Sequence, residues 1–440
     1  MSIAQPTIET VLKSLNISAL NEMQITALET IQKDPNVILL APTGSGKTLA
    51  FLLPILELLN PDQLGVQAII LSPSRELALQ IEQVFRSMST GYKVNCCYGG
   101  HDINVEKNNL VQPPAVLIGT PGRIGDHMRN GRIESAAIQT LVLDEYDKCL
   151  EYGFKDELLF VMEQLPNLKK RVLTSATKSV TSYKNTGMAD PVTLNFLNKT
   201  APKNLKVRAI ETADKERIDT LFRLVCKIGN HSTIIFCNLR DTVERISDLL
   251  WDQKLPNNIF HGGLEQDLRE RTLIKFRNGS HRILVTTDLA SRGLDIPEIE
   301  YVIHYDLPEN ENVFTHRSGR TARMHANGTT YLIVSERESI PEFFKESPDY
   351  EKLPSKVVIP NPTEWETLYI AAGKKEKISK GDIAGLLMQK GELKKDEVGV
   401  IDVLDHVSYV AIKREKTNKV LKLIQNAPIK KQKVKIEVAR

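Results

Sequence analysis

The sequence predicts an α/β protein with two tandem, doubly wound parallel-sheet domains and a small α+β domain after them. Short Val/Ile/Leu runs alternate with helix-like stretches in two successive blocks. Near the C-terminus the predicted order changes to strand–helix–strand–strand–helix–strand. With 440 residues, the chain is also too long for a single hydrophobic core. We place the three domains at residues 1–197, 206–345 and 365–440.

The first domain contains apolar runs that are typical of parallel strands. They are continuously apolar, which indicates burial on both faces of a sheet; a strand with one solvent-facing side would alternate. Helix-like stretches such as Arg75–Ser87 and Asp156–Gln164 lie between them. The predicted strands are Val37–Leu40, Ala68–Leu71, Val94–Cys97, Ala115–Ile118, Leu141–Leu143 and Arg171–Leu173.

A second alternation of the same kind follows a polar, proline-containing linker at Asn198–Lys203. A proline-rich and weakly patterned stretch, Pro341–Pro362, is predicted to be another linker. The strands predicted between the two linkers are Lys206–Ile210, Thr233–Cys237, Asn258–Phe260, Ile283–Val285, Tyr301–His304 and Thr330–Val334.

The C-terminal segment is predicted to be a basic βαββαβ module. Ser379 and Asp382 have the spacing of a helix capping box. From Trp365 to Arg440 there are 17 Lys and Arg against 10 Asp and Glu, a net charge of +7 that leaves −4 for the rest of the chain. This local excess indicates a polyanionic partner, although solubility alone would also explain it. The predicted elements are Thr367–Ala371, Lys380–Gln389, Val398–Val403, Val407–Ile412, Thr417–Ile424 and Lys433–Val438.

The composition is that of a soluble globular protein, with 41% hydrophobic and 26% charged residues. No apolar run approaches the ~18 residues of a membrane span, and the N-terminal residues lack the pattern of a signal peptide. The five cysteines have neither disulfide-framework nor zinc-site spacing, which favours reduced thiols. We therefore expect a cytoplasmic protein that makes no membrane contact.

The strongest chemical motif is a glycine-rich loop, Ala41–Thr48, which we call the phosphate loop. It follows an apolar strand and precedes a strong helix former, the context that a phosphate-binding loop requires. Gly44 and Gly46 let backbone N–H groups approach phosphate oxygens. Lys47 would reach the β- and γ-phosphates, and the Thr48 hydroxyl would hold Mg²⁺. No second loop of this kind occurs, which suggests that the two similar domains share one nucleotide between them.

Two further clusters complete this chemistry. Asp144 and Glu145 end a buried strand, where such an enzyme needs one acid for Mg²⁺ and one to position water. We assign the metal role to Asp144 and the water or general-base role to Glu145. In the second domain, the segment His316–Arg323 carries three arginines that would neutralise charge on a γ-phosphoryl group. Alone, such a cluster is also typical of a solvated surface.

In order along the chain, these motifs resemble those of the DEAD-box ATP-dependent RNA helicases of superfamily 2, whose core is two RecA-like domains. The resemblance covers the whole two-domain core. The matching segments are Gln24, Ala41–Thr48, Pro73–Ala78, Gly99–Gly100, Thr120–Arg123, Asp144–Asp147, Ser175–Thr177, Ile234–Asn238, Gln266–Arg269, Thr286–Asp288, Arg292–Asp295 and His316–Arg323.

The resemblance implies roles for individual residues. Gln24 would read adenine, and Gly293 and Asp295 would contact the ATP ribose. Arg320 and Arg323 would be the arginine fingers. The remaining ATP contacts would come from Thr43, Gly44, Ser45, Gly46, Lys47 and Thr48, and the coupling of nucleotide state to RNA from Asp147, Ser175 and Thr177. The RNA sugar-phosphate backbone would be contacted by Pro73, Arg75, Gly100, Thr120, Arg123, Arg269 and Thr287.

The sequence departs from the family pattern in three places. Tyr146 replaces the alanine of the Asp-Glu-Ala-Asp motif, so that a large ring must fit behind the acids. The aromatic residue that family members carry upstream of the glutamine is missing. Asn21 and Glu22 stand where a threonine and a proline are usual.

The C-terminal module resembles the RRM-like RNA-binding domain of DbpA-type DEAD-box proteins. Tyr369 would stack on a base from its first strand, and the partner strand keeps only Tyr409. Basic edge residues such as Lys413 and Arg414 offer a second way to bind RNA; alternatively, the tyrosines pack internally and the lysines only solubilise the module. The resemblance implies targeting to structured ribosomal RNA during large-subunit assembly.

The sequence therefore predicts a monomeric, RNA-stimulated ATPase that uses ATP and Mg²⁺ to separate short RNA duplexes. Three other functions stay open at this point. One is an ATP-gated RNA clamp or assembly platform with little unwinding. Another is a DNA translocase, which shares the two-domain engine, although the C-terminal module argues against it. The third is a nucleotide-binding protein without catalysis, which only Tyr146 suggests.

Overall fold

The computed structural model describes residues 6–100, 102–177, 183–197, 205–288, 299–321, 328–344, 347–425, 427–430 and 432–439. They form two compact units, which meet in sequence near residue 203. The first unit contains one parallel sheet. The second contains another parallel sheet and the small antiparallel sheet of the C-terminal domain. The predicted linker Asn198–Lys203 lies outside the described residues.

The sheet of the first unit has seven parallel strands in the order β3-β4-β2-β5-β6-β1-β7. The strands are β1 Asn36–Leu40, β2 Ala68–Leu71, β3 Val94–Cys97, β4 Val116–Gly119, β5 Thr140–Leu143, β6 Lys170–Ser175 and β7 Val192–Asn195. The helices are α1 Ile8–Ser14, α2 Glu22–Lys33, α3 Lys47–Leu58, α4 Arg75–Ser87, α5 Ile103–Leu110, α6 Pro121–Arg129, α7 Tyr146–Glu151 and α8 Lys155–Glu163. Six strands were predicted. The edge strand β7 was not, because it is short and largely exposed.

Helices cover both faces of this sheet, as its continuously apolar strands predict. Val37 and Leu39 of β1 pack in one core with Phe51 of α3, whereas Ile38 and Leu40 pack in the other. Successive strand residues point to opposite faces, and both faces are covered, so every residue of β1 is buried. The strand is thereby fixed in position, and with it the loop at its carboxyl end.

The parallel sheet of the second unit also has seven strands, in the order β10-β11-β9-β12-β13-β8-β14. The strands are β8 Leu205–Thr212, β9 Thr233–Phe236, β10 Asn258–Phe260, β11 Ile283–Thr286, β12 Tyr301–His304, β13 Gly328–Ser335 and β14 Asp349–Tyr350. The helices are α9 Arg217–Ile228, α10 Arg240–Asp252, α11 Gln266–Arg277 and α12 Glu311–Ser318. The doubly wound prediction is confirmed for both parallel sheets.

Strand β14 corrects the prediction that Pro341–Pro362 is only a linker. This two-residue strand extends the sheet beside β8, and the next residue, Glu351, forms ion pairs with Arg208 and Lys227. Leu353 then packs against the core. Strand β14 is exposed and has no apolar run, so the hydrophobic pattern of the sequence did not predict it.

The C-terminal domain has the predicted βαββαβ order around a four-stranded antiparallel sheet, β16-β17-β15-β18. One sheet face packs Leu368 and Val410 against Ile383 and Val420 of the two helices. Ser379 and Asp382 form the predicted capping box. The elements are β15 Trp365–Ile370, α13 Lys380–Gln389, β16 Val398–Val403, β17 Ser408–Lys413, α14 Thr417–Ile424 and β18 Ile436–Val438. Among the described residues, no helix is long and apolar enough to cross a bilayer.

Candidate active site

The phosphate loop connects the end of β1 to the start of α3. Gly44 and Gly46 have φ angles of +80° and +89°, a left-handed conformation that glycine adopts without steric cost. The Lys47 Nζ donates hydrogen bonds to the carbonyl oxygens of Ala41 (2.8 Å) and Pro42 (2.9 Å). The lysine is therefore held against the loop at the positive end of the α3 dipole. The same turn carries Thr43, Ser45 and Thr48.

Gln24 lies directly against the phosphate loop. Asn21 caps α2 in a capping box with Gln24, and the Gln24 Nε2 donates to the carbonyl oxygen of Gly46 (3.3 Å). The Asn21 Nδ2 donates to the carbonyl oxygen of Ser45 (3.1 Å). Asn21, which replaces the usual threonine, therefore binds α2 to the loop. Its capping-box spacing was the available signal, but its loop contact was not predicted.

The two predicted catalytic carboxylates follow β5 and are almost fully buried. Glu145 has a φ of +48°, a conformation that costs a non-glycine residue about 1–2 kcal/mol and that clusters at functional sites. The Thr174 hydroxyl donates a hydrogen bond to Asp144 and accepts one from the Glu145 backbone N–H (3.1 Å). Thr174 therefore orients both acids. No sequence motif pointed to it.

The electrostatics of this pair suit a divalent cation. The pKa of Asp144 is raised to about 6, chiefly by burial and then by the charge of Glu145, while Thr174 and Lys47 act in the opposite direction. Two buried carboxylates repel each other, so a nearby cation would stabilise both in the charged form. Carboxylate and hydroxyl oxygens are preferred ligands of Mg²⁺. Asp144 and Thr48 therefore fit the metal role assigned to them.

The three predicted coupling residues lie together in the structure. The Thr177 Oγ1 donates to a carboxylate oxygen of Asp147 (3.2 Å), and the Ser175 Oγ donates to the Thr177 carbonyl oxygen (3.0 Å). The Ser175 carbonyl oxygen accepts a hydrogen bond from the backbone N–H of Ala41 (3.0 Å). A continuous chain of hydrogen bonds therefore connects the first residue of the phosphate loop to Asp147.

Tyr146 does not displace these groups. Its ring is 2% exposed and belongs to the core cluster that contains Leu143, Cys149 and Leu173. The Tyr146 ring therefore packs in the hydrophobic core behind the two acids. Asp144 and Asp147 keep their contacts with Thr174 and Thr177, described above.

The predicted RNA-contacting residues of the first unit follow three adjacent strands. Gly100 follows β3, Thr120 and Arg123 follow β4, and Pro73 and Arg75 follow β2. The strands β5, β6 and β1, which precede the acids, the coupling residues and the phosphate loop, continue the same sheet. Parallel strands end at one edge, so the predicted RNA contacts lie on one half of this edge and the predicted nucleotide-binding residues on the other, with β2 beside β5. We call these the RNA half and the nucleotide half.

Two contacts organise the RNA half. Gly100 has a φ of +91°, and a Cβ there would lie 2.2 Å from a guanidinium nitrogen of Arg75. Arg75 therefore lies against the Gly100 backbone, where a side chain has no room. Thr120 precedes α6 as its N-cap, so that the positive end of this helix dipole follows β4.

Glu106 connects the same loops and was not predicted. Its carboxylate is buried and accepts hydrogen bonds from the backbone N–H of Tyr98 (2.8 Å) and from Arg123 (3.3 Å), and it lies 2.6 Å from the His127 Nε2. Cys97 is also close enough for the group to resemble a metal site. Burial, however, raises the pKa of the Cys97 thiol far above its usual value, and Arg123 is already paired with the acid. This is a structural network that holds Arg123.

In the second unit, the described arginines of the segment His316–Arg323 have different surroundings. Arg317 is buried and binds Asp288 through two hydrogen bonds of 2.6 and 3.0 Å, and it also donates to Asn238 (2.7 Å). It donates as well to the Asp306 carbonyl oxygen (2.9 Å), so that Arg317 anchors the segments that follow β9, β11 and β12. Arg320, only 1% exposed, follows directly after α12. Arg323, Gly293 and Asp295 lie outside the described residues.

The two predicted RNA contacts of this unit lie close to Phe260. The Arg269 guanidinium lies 5.9 Å from the Phe260 ring centre, and the Thr287 backbone N–H donates to the Phe260 carbonyl oxygen (3.4 Å). Arg269 belongs to the first turn of α11, and Thr287 follows β11. The structure therefore places them at neighbouring strand ends.

The predicted RNA-binding residues of the C-terminal domain make intramolecular contacts. Tyr369 meets the Tyr409 ring edge-on, with ring centres 5.7 Å apart. Lys413 pairs with Glu364 at 2.6 Å. Arg414 donates to the Ser280 carbonyl oxygen of the parallel-sheet domain (3.0 Å). RNA binding by these residues stays a prediction.

The chain matches three family models in sequence order. They are the DEAD/DEAH box helicase over residues 21–186, the helicase conserved C-terminal domain over 216–325 and the DbpA RNA binding domain over 367–438. Together they span the two parallel sheets and the antiparallel one.

Curated relatives extend the similarity over nearly the whole chain. It is 31% identical to the ATP-dependent RNA helicase DbpA of Escherichia coli (strain K12), over 98% of this chain and 96% of that protein. It is 29% identical to the DbpA of Bacillus subtilis (strain 168), over 97% and 96%. Among solved structures, S. cerevisiae Dbp5 bound to RNA and ADP BeF3 is 28% identical with a TM-score of 0.68, covering 75% of this chain and 88% of that one.

Proposed function

Because the chain belongs to the DEAD-box ATP-dependent RNA helicases of the DbpA type, we propose that its RNA-stimulated ATP hydrolysis locally separates short RNA duplexes in ribosomal RNA during large-subunit assembly. One observation carries this proposal. A single sheet edge of the first unit holds the phosphate loop and the two acids beside the residues predicted to couple nucleotide state and to contact RNA. Nucleotide and RNA chemistry are therefore neighbours on one rigid scaffold.

ATP binding is assigned to the nucleotide half of this edge. Gln24 recognises the adenine, while the phosphate-loop N–H groups and Lys47 bind the phosphates. Thr48 and Asp144 would hold Mg²⁺, which, when bound, neutralises charge on the β- and γ-phosphate oxygens. Glu145, held in its strained conformation beside Thr174, orients the attacking water.

The second unit supplies the positive charge. Arg320 and Arg323 act as arginine fingers on the γ-phosphoryl group, and Gly293 and Asp295 contact the ribose. Arg317 has a positioning role, because its hydrogen bonds to Asp288 and Asn238 fix the end of α12 just before Arg320. ATP and single-stranded RNA both favour the same state of the protein.

Coupling follows from this shared preference. Two ligands that stabilise the same state increase each other's affinity, and no other device is needed. The hydrogen bonds from Ala41 through Ser175 and Thr177 to Asp147 give the phosphate loop a physical connection to the rest of the sheet edge. Hydrolysis removes the γ-phosphoryl contact, so that the state that holds the RNA strand is no longer favoured.

The RNA contacts of the core recognise the sugar-phosphate backbone and carry no sequence information. Target choice therefore falls to the basic C-terminal domain, for which we propose structured ribosomal RNA. A monomeric state and a cytoplasmic location complete the proposal. Neither is needed for the chemistry.

Strand displacement tests the proposal directly. The full chain, with ATP and Mg²⁺, should separate a short RNA duplex joined to a structured RNA, and ATP turnover should rise with RNA but not with DNA of the same sequence. ATP-dependent RNA retention without displacement would identify an RNA clamp instead. Stimulation by DNA would identify a translocase.

Glu145→Gln separates binding from hydrolysis. It should bind RNA in the presence of ATP and fail to release it, because the substituted amide keeps the shape of the side chain but cannot orient and deprotonate water. Glu163→Gln, at an exposed position at the end of α8, is the matched control. Normal turnover by Glu145→Gln would refute the role assigned to Glu145.

A further inference from the structure

The C-terminal sheet has a second face, opposite its two helices, which we call the docking face. It consists of Thr367, Tyr369, Tyr409, Ala411 and Ala439. Thr367 and Tyr369 pair with Ala411 and Tyr409 across the strands, and the Ala439 N–H donates to the Thr367 carbonyl oxygen (2.8 Å). Thr367 and Ala411 are no more than 1% exposed, and Tyr409 is 5% exposed. In an RRM-like domain this is the face on which RNA bases stack. Here the face is covered by protein.

Helix α11 of the parallel-sheet domain covers the docking face. Ile274 of α11 forms one apolar cluster with Tyr409 and Ala439, and Tyr369 packs at the edge of this cluster. Burial raises the pKa of Tyr409 to about 12. Tyr409 is therefore a packing residue, and Tyr369, for which base stacking was predicted, is partly buried beside it.

Polar contacts around this apolar centre fix the two domains together. The Asn278 Nδ2 donates to the Thr367 Oγ1 (3.2 Å), and Arg414 donates to the Ser280 carbonyl oxygen (3.0 Å). Arg277 pairs with Asp402 at 2.8 Å. Buried polar groups with partners on both sides specify one arrangement more strictly than apolar contact does. RNA would have to break these contacts to reach the docking face.

Two groups of basic residues in the domain have different surroundings. Lys413 and Arg414 belong to the docked side, where they pair with Glu364 and Glu366. A second group, which we call the lysine end, lies in the turn that leads into α13, at the start of that helix and in the turn that leads into β18. These six exposed residues are Lys374, Lys375, Lys377, Lys380, Lys430 and Lys433.

Two contacts join the turns of the lysine end. The Lys430 Nζ donates to the Lys377 carbonyl oxygen (2.7 Å) and lies 2.9 Å from a carboxylate oxygen of Asp382. Lys377 and Lys430 both have left-handed backbones, with φ of +60° and +46°. Glycine or asparagine would occupy such positions at lower cost. The chain instead carries positive charge at both.

We propose that the C-terminal domain binds RNA phosphates through the lysine end, and that its docking face holds the domain on α11. This inference adds the RNA-binding surface of the C-terminal domain to the proposed function, and it takes the class of RNA from that function. Helix α11 carries the predicted RNA contact Arg269 in its first turn and Ile274 at the interface. A structured RNA bound at the lysine end is then held in one compact unit with the Arg269 contact.

The test compares two triple charge reversals in the full chain. One removes the lysine end through Lys374→Glu, Lys375→Glu and Lys433→Glu. The matched control changes the same charge at exposed positions elsewhere in the domain, through Lys390→Glu, Lys395→Glu and Lys422→Glu. Affinity for deproteinised large-subunit ribosomal RNA is measured over a salt series. Thermal melting confirms that each variant is folded.

We expect the lysine-end variant to bind at least about tenfold more weakly and to lose about two units of salt slope, because each phosphate contact contributes ~0.7–0.9. The control should change affinity less than about threefold. Equal losses in the two variants would mean that bulk charge is responsible and would overturn the proposal. So would unchanged affinity in the lysine-end variant.

Tyr369→Ala provides an independent measurement on the docking face. A folded Tyr369→Ala variant should keep its affinity for the ribosomal RNA. A loss of affinity larger than that of the lysine-end variant would indicate that Tyr369 stacks on a base, and it would overturn the proposal. Failure of the proposed function is distinguishable from both outcomes. It would appear in the unaltered protein as an absence of RNA-stimulated ATP turnover.

Discussion

The two parallel sheets share one topology and differ at their carboxyl edges. When each sheet's strands are numbered from its own first strand, both follow the order 3-4-2-5-6-1-7. In the first unit, the first strand leads into the phosphate loop and the fifth into Asp144 and Glu145. In the second, β8 leads into a turn without paired glycines, and β12 leads into Tyr305 and Asp306. The scaffold is common, and its loops carry the chemistry.

The buried charges at these edges have opposite signs. The first unit buries Asp144 and Glu145, whereas the second buries Arg317 and Arg320. In the first unit the charge of Glu145 helps to raise the pKa of Asp144, whereas in the second Arg317 is paired with Asp288. The proposed metal and arginine-finger roles depend on this difference in charge.

Lys47→Ala should have the largest effect on ATP turnover among these variants. It removes the only ammonium group of the phosphate loop, so we expect ATP turnover to fall by more than about 1,000-fold. Lys215→Ala is the matched control. This exposed lysine lies in the corresponding turn after β8, which lacks the paired glycines of the phosphate loop. Steady-state ATPase assays with saturating RNA measure both. A comparable loss in Lys215→Ala would show that the second edge also binds the nucleotide phosphates.

Arg320→Ala and Arg317→Ala should separate catalysis from structure in the second unit. We expect Arg320→Ala to lower turnover about 1,000-fold, the range of an arginine finger. Arg317→Ala leaves Asp288 and Asn238 without their guanidinium partner, so it should lower the free energy of unfolding by about 1–3 kcal/mol. ATPase rates and thermal melts of both variants check this; near-normal turnover by Arg320→Ala, or an unchanged melt of Arg317→Ala, would contradict it.

The positions of the phosphate loop and of the two acids at strand ends were predictable because each group is local in sequence. Lys47 and Thr48 share one loop, and Asp144 and Glu145 are consecutive. Residues that act across the fold left no such signal: Thr174 reaches Asp144 only because β5 and β6 are neighbours. Strands β7 and β14 were missed because exposed edge strands lack an apolar run.

The docking of the C-terminal domain was not predictable for a related reason. Tyr369 and Tyr409 occupy the same face whether that face binds a base or a helix, and a strand pattern cannot distinguish the two. The decisive residue is Ile274, about a hundred positions earlier on α11. Its contribution depends on packing between domains, which sequence periodicity does not encode.

Glu106→Gln should distinguish the two halves of the sheet edge in the first unit, because it alters the RNA half alone. The substitution keeps the volume but removes the charge that holds Arg123. We expect the RNA concentration for half-maximal ATPase stimulation to rise roughly tenfold, the value of one lost charge-assisted hydrogen bond, while the KM for ATP stays near that of the unaltered protein. RNA titrations with Glu163→Gln as control measure this. An equal rise in the KM for ATP would mean that Glu106 supports the whole edge.

The buried histidines make the stability of the second unit depend on pH. In the first unit His127 lies 2.6 Å from the Glu106 carboxylate. In the second, His281 lies near Lys275 and Arg414, and burial followed by these charges lowers its pKa to about 3, although a hydrogen bond with the Asn257 backbone opposes the shift. The pKa of buried His304 is lowered as well. Acid should therefore destabilise the second unit.

For His281, protonation favours the unfolded state, whose imidazole has a pKa near 6.5. Stability is therefore present above that value and is lost as the pH falls toward 3. Between pH 7 and pH 5 the loss from His281 should be roughly 2 kcal/mol. Both tryptophans, Trp251 and Trp365, lie in the second unit, so tryptophan fluorescence during denaturant unfolding reports on that unit. His281→Gln should remove this part of the pH dependence and leave that of His304; an unchanged difference between pH 7 and pH 5 would show that His281 takes up its proton without loss of packing.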